Sequence, residues 1–236
     1  MTTFVDYSNQ VFNAFLLHSK RDAIIDRKLD IIDKINDHYA STPDSILFVG
    51  FNPAILKVKA NRIFVTKVNQ DILNWIKANR PEVELLKENQ RPDCVVAVDE
   101  YLTFARSEQD QLDKIKNLCN LASKLVITTV KDYKNQDFND KEYSQPAIIK
   151  KNSKMIAFSE LHEWSSSDRN SWTTHLYKLE DQSAQILGQY HRRSLFFKQL
   201  AKFAIDEGAK SFLVHKNIMF KSIVKKNYEH VISITF

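Results

Sequence analysis

A chain of 236 residues with 43% hydrophobic and 27% charged side chains can bury one sizeable α/β core, and it contains no run of about 18 apolar residues and no basic-then-apolar leader that would cross or be threaded through a membrane. Cys94 and Cys119 are its two cysteines, which excludes a disulfide framework and makes a reducing cytoplasmic setting the expectation, while a formal charge of +5 permits an acidic partner without requiring one. Three glycines, where average usage would give roughly sixteen, exclude glycine-rich phosphate loops.

Residues 4–17 are rich in aromatics and read as a short helix or a loop packed on the core. Across 22–39, Ile25, Leu29, Ile32, Ile35 and Tyr39 recur at spacings of three and four and make one apolar stripe, the mark of an amphipathic helix. Pro43 ends it; 46–49 is a buried strand closed by Gly50, and Phe51-Asn52-Pro53 is a turn. A second strand at 63–65, a helix over 69–77 with Ile72, Leu73 and Ile76, and a third strand at 83–86 follow. The unbroken apolar run 94–98 is how a strand covered on both faces reads, and it stops abruptly at Asp99 and Glu100. Ser107 then caps a helix carrying Leu112, Ile115, Leu118 and Ala122, and 125–130 is the next buried strand. Strand, helix and strand in this order form a right-handed crossover in a parallel sheet.

Past residue 130 the pattern changes. Residues 131–135 stand at the carboxyl end of the 125–130 strand, and 136–145 is polar enough for a surface loop or lid. Strands are expected at 154–163 and 173–179, with a turn at 165–170 between them, and 185–190 pairs antiparallel with 174–179, placing His191-Arg192-Arg193 at a strand end. Phe196, Phe197, Leu200, Phe203 and Ala204 mark a helix stopped by Gly208. Final strands at 211–214 and 230–236 flank a basic segment holding Lys216, Lys221, Lys225 and Lys226, which offers a surface for an acidic partner or nucleic acid. The expected class is α/β: a Rossmann-like, mostly parallel sheet with helices on both faces and an antiparallel C-terminal strand pair. Residues 1–40 are expected to be a helical segment packing on the core, and 41–236 one α/β domain with an insertion around 136–193.

Ligands of open α/β sheets sit beyond the carboxyl ends of the strands, which makes Asp99 and Glu100 the first candidates for a site. Paired carboxylates there can orient an amine or hydroxyl, or act as a base; the plainer reading is a solvated pair beside a helix start. If they line a site, replacing either by Ala should leave stability nearly unaltered. The seven histidines show no HxxxH or HxH spacing, so no metal site is expected, and no GxSxG or local Cys-His pair marks a nucleophile.

The strand order with an entry helix in front resembles the class I S-adenosylmethionine-dependent methyltransferases over residues 22–130. SILFVG, ending at Gly50, is similar to that family's first strand and the opening glycine of its cofactor loop, though Phe51-Asn52-Pro53 replaces the usual further glycines. IFVTKVNQDIL resembles its second strand and helix, with Asn69 where the family keeps a ribose-binding carboxylate. The resemblance implies S-adenosylmethionine as cofactor, with Gly50 and Asn52 at its methionine end, Asn69 near ribose and Asn89 near adenine. Asp99, Glu100 and Tyr101 then stand beside the transferred methyl as catalytic candidates. The competing reading, favoured by the scarce glycines and the missing carboxylate, is a methyltransferase-like fold that has lost its cofactor and serves as a binding or structural subunit.

Overall fold

The structure is a computed structural model describing residues 3–40, 42–130, 141–143, 147–151, 154–165, 170–180, 183–221 and 228–236; the side chains of 216–229 lie outside the description. The chain opens with helices α1 (Phe4–Leu17) and α2 (Arg21–His38). Thr3 caps α1, its hydroxyl accepting from the Asp6 N–H while the Asp6 carboxylate accepts from the Thr3 N–H. The 4–17 segment is therefore a full helix.

Strands β1 (Ser45–Val49), β2 (Arg62–Thr66), β3 (Val83–Leu85), β4 (Cys94–Ala97) and β5 (Leu125–Val130) run parallel. A 3₁₀ turn, Pro53–Leu56, joins β1 to β2. Helices α3 (Gln70–Asn79) and α4 (Glu108–Leu121) follow β2 and β4. The outward steps β2 to β3 and β4 to β5 go in opposite directions across the sheet, so right-handed crossovers put α3 and α4 on opposite faces. β1, β4 and β5 are buried at every residue, which is why they read as continuous apolar runs.

Five further strands come between β5 and the last helix: β6 (Lys141–Tyr143), β7 (Ala147–Lys151), β8 (Lys154–Trp164), β9 (Ser171–Glu180) and β10 (Ser183–Arg193). They form a separate antiparallel sheet ordered β10-β9-β8-β6, with β7 also on β8. β6 falls in the 136–145 segment that reads as loop, and β7 in sequence where no strand is expected; both are ordered by pairing with β8. Helix α5 (Phe197–Asp206) leads to β11 (Ser211–Lys221) and β12 (Tyr228–Thr235), which completes a seven-stranded sheet in the order β11-β12-β5-β4-β1-β2-β3, β12 antiparallel to both neighbours. The fold class is α/β, a mostly parallel sheet with an antiparallel C-terminal pair.

With three glycines in the chain, the turns at the carboxyl edge use other residues. Lys67, Asp99 and Glu100 all take φ of 58°, and Gly50 takes 81°. A non-glycine residue held there costs on the order of 1–3 kcal/mol, so the surroundings must enforce it.

Candidate functional site

β1, β2 and β4 deliver the site residues to one edge of the sheet. At the end of β4, Asp99 is 8% exposed and Glu100 is fully buried. The Glu100 N–H donates to Thr129 Oγ1 on β5 at 3.2 Å, and its Oε2 accepts from the Arg192 guanidinium at 2.7 Å, with Arg192 itself fully buried at the end of β10. That guanidinium lies 4.1 Å from the Phe104 ring centroid and 4.9 Å from that of Tyr7. Glu160 of β8 faces it at 4.0 Å and accepts from the Tyr7 hydroxyl at 3.2 Å. On the other side, the Lys28 ammonium of α2 sits 3.8 Å from Asp99 Oδ1 with its side chain sealed from solvent. The carboxylate pair is thus a buried junction of α1, α2, the main sheet and the second sheet, and the sequence expectation that either residue is a dispensable strand-end charge does not hold for Glu100.

At the end of β1, Gly50 lies under α1. A Cβ there would stand 2.7 Å from the Phe4 ring and 3.2 Å from Ser8 Oγ, which also accepts from the Phe51 N–H at 2.6 Å. Asn52 is 3% exposed; its Oδ1 accepts from the Ala54 N–H at 3.0 Å, and its buried Nδ2 has no hydrogen-bond partner among the described residues. Asn69 spends its acceptor as the N-cap of α3, taking the Ile72 N–H at 2.9 Å. Asn89 is exposed in the turn before β4 with φ of 67°. Gly50 and Tyr101 thus both meet the Phe4 ring, Asp99 and Glu100 enter the buried ion-pair junction, Asn69 caps α3 and Asn89 is exposed.

A cavity of about 340 Å³ opens on this edge. Phe4, Tyr101 and Phe104 form its apolar wall, Tyr101 packing on Phe4 with ring centroids 4.8 Å apart. Lys67, Arg106, Lys114 and Asp110 supply its charge. Burial, then the neighbouring Asp110, pushes the Tyr101 hydroxyl up to about 12, so it stays protonated at neutral pH. A larger, open hollow of about 690 Å³ lies at the amino edge beside Asp44, Asn61 and Arg80 and holds none of these residues. Among the described residues no cluster of His, Cys, Asp or Glu is arranged to hold a metal ion, and no helix is long and apolar enough to cross a membrane.

Several contributors were not legible in sequence. Lys28 falls on what reads as the polar side of α2, Arg192 within a basic strand end, and Glu160 and Tyr7 had no signal at all. Their partners lie from 32 (Glu160 to Arg192) to 185 (Tyr7 to Arg192) positions away, which no local spacing shows. Lys225 and Lys226, and the side chains of Lys216 and Lys221, fall outside the described residues, as does the 131–135 segment.

No family model and no curated protein sequence matches the chain. Solved structures do. DesVI from Streptomyces venezuelae superposes with a TM-score of 0.69 at 9% identity, covering 96% of this chain and 97% of that one. CalS10, an amino pentose methyltransferase from Micromonospora echinaspora solved with its cofactor, gives 0.65 at 7% identity, covering 89% and 91%. The sugar N-methyltransferase KedS8 from Streptoalloteichus gives 0.62 at 5% identity, covering 89% and 87%. The fold is that of the class I S-adenosylmethionine-dependent methyltransferases.

Proposed function

We propose that the chain is an S-adenosylmethionine-dependent methyltransferase acting on a small polar acceptor. The observation that carries this reading is the cradle after β1. Gly50 turns at positive φ directly beneath the Phe4 ring, and among the described residues the buried Nδ2 of Asn52 has no partner. An unpaired buried amide costs about 1–3 kcal/mol, which a carboxylate such as the cofactor's would recover. These residues fit the methionine end of the cofactor. Tyr101 borders the cavity and keeps a protonated hydroxyl to orient an acceptor. The cofactor supplies a methyl group already activated on sulfur. What remains for the chain is to bind, align and exclude water. Glu100 contributes by fixing the β4 turn through Arg192, and Asp99 by its pairing with Lys28.

The ribose end departs from the usual arrangement. Lys67 stands immediately past β2, and no described carboxylate projects from that strand end. Entry over Gly50 also requires Phe4 to swing away, so α1 acts as the cover of the site. The acceptor class draws on the neighbours that methylate amino sugars, and it is carried by fold likeness alone.

A second reading has its own support. Phe4 packed against Gly50, Glu100 committed to an ion pair and Asn69, in the place of the family's carboxylate, committed to capping α3 are what a cofactor-free binding or structural subunit of this fold would show. Isothermal titration with S-adenosylmethionine and S-adenosylhomocysteine separates the two. A binder at 100 times its Kd stabilises the fold by about 2.7 kcal/mol, visible as a thermal shift. No heat and no shift at millimolar ligand would retire the enzyme reading in favour of the scaffold.

A further inference from the structure

We propose that the cavity between Lys67 and Lys114 is an oxyanion site that takes a phosphorylated small molecule. The cavity gathers three fixed cations, Lys67, Arg106 and Lys114, around one carboxylate, Asp110. That carboxylate is already used: its Oδ2 accepts from the Arg106 N–H at 2.8 Å and lies 3.4 Å from the Lys114 ammonium. Lys114 also donates to the Phe104 carbonyl, which fixes its head at the cavity wall. Among the described residues, nothing pairs with the Lys67 ammonium or the Arg106 guanidinium.

Like charges crowded into a partly enclosed space repel, and Lys114 registers it. Its amine is held below the ordinary lysine range by burial first, against the pull of Asp110, and then by Lys67 and Arg106. An anion seated among them would remove this repulsion. Lys67 is moreover held at φ of 58° directly after β2, a strained placement for a lysine, which sets its side chain at the cavity rim. His191 adds a ring N–H without adding charge, because burial, then Arg193, keeps its pKa below the ordinary 6.5. The excess of positive charge matches a phosphomonoester, which carries about −1.5 to −2 at pH 7, better than it matches one carboxylate. Phe4, Tyr101 and Phe104 provide an apolar wall for the remainder of the molecule, and about 340 Å³ is at the small end of the range for such ligands.

This goes beyond methyl transfer and does not depend on it. The test is calorimetric titration of the full chain with glucose 6-phosphate, inorganic phosphate and glucose. The expected result is binding of both phosphates, none of glucose, and weakening as ionic strength rises. Lys67→Gln should lower the affinity by roughly tenfold, the loss of one charge-assisted contact, with melting unchanged because Lys67 is exposed. Lys77→Gln, an exposed lysine on α3 away from the cavity, should leave the affinity unchanged. No phosphate binding at millimolar concentration, an unaltered affinity in Lys67→Gln, or an equal fall in Lys77→Gln would each overturn the proposal. Titration with S-adenosylmethionine in the same series reports on the methyltransferase reading separately, since either ligand can bind when the other fails.

Discussion

The two ends of β4 both carry carboxylates, and they are built in opposite ways. At the amino end, Asp93 keeps ordinary backbone geometry and ties three strands together. Its carboxylate accepts from the Asp44 N–H before β1 and from Ser123 and Lys124 before β5, each at 3.0 Å. At the carboxyl end, Asp99 and Glu100 sit in consecutive left-handed conformations, sealed from solvent, with cations supplied by α2 and β10. One end aligns the sheet with neighbours that chain order already brings close. The other is strained and depends on residues that only the complete fold delivers, which is how a strand end becomes a site.

The sharpest way to break this contrast is Arg192→Ala. It would leave Glu100 and Glu160 buried without the guanidinium between them, and removing one partner of a buried pair costs about 3–5 kcal/mol, a large share of the about 5–15 kcal/mol that holds a typical domain. Urea melts should show that fall; a loss under 1 kcal/mol would mean the carboxyl end is no more dependent on tertiary partners than the amino end. Replacing the pair together, as Glu100→Gln with Arg192→Met, should cost less than Arg192→Ala alone, because Glu160 is then left facing the lost guanidinium but Glu100 no longer carries a charge there. Next in size is Gly50→Ala. The added methyl meets the Phe4 ring at 2.7 Å in a backbone conformation that alanine resists, so we expect a loss of about 1–3 kcal/mol. Combining it with Phe4→Ala should relieve the steric part, which a double-mutant cycle on melting would reveal as coupling of at least about 0.5 kcal/mol.

The same contrast explains how much of the molecule was legible in its sequence. β1, β4 and β5 were visible because double burial leaves an uninterrupted apolar run, and α2 and α4 because their stripes repeat every three or four residues. β6 and β7 were not, since edge strands borrow their order from β8. At the site, Asp99 and Glu100 could be picked out by position, but their sealing could not: Lys28 looks like any polar-face lysine, and Arg192 like one more surface charge, until α2 and β10 fold against the strand end. Asn69 shows a related limit. A residue just before a helix can serve a ligand or cap the helix, and the Ile72 N–H claims its acceptor.

At the amino end the prediction is smaller and depends on pH. Burial pushes the Asp93 carboxyl up, but Lys124, the Asp44 N–H and Ser123 outweigh it and leave the pKa below its ordinary 3.8. A folded-state pKa lower than the unfolded one means stability that is complete above the ordinary value and lost as pH falls through the folded one. Asp93→Asn should therefore cost about 1–2 kcal/mol at pH 7, and the gap from the unmodified chain should close progressively below about pH 4. A gap that stays constant down to pH 2 would assign the effect to packing instead of charge.

The smallest expected change in stability is also the most direct probe of what the carboxyl end does. Among the described residues the Tyr101 hydroxyl has no hydrogen-bond partner; it borders the cavity, while its ring is packed on Phe4. Tyr101→Phe keeps the ring and removes only that hydroxyl, so the melting free energy should shift by less than about 0.5 kcal/mol. With a pKa of about 12 the group acts as a hydrogen-bond donor or acceptor and not as a base, so its removal should not displace a pH profile measured between pH 6 and pH 9. If the hydroxyl orients an acceptor, turnover by an active preparation should fall roughly tenfold, the order expected for one aligned hydrogen bond of about 1.4 kcal/mol, with the affinity for S-adenosylmethionine unchanged. Unchanged turnover would place the acceptor elsewhere along the edge and leave Tyr101 as part of the apolar wall beneath α1.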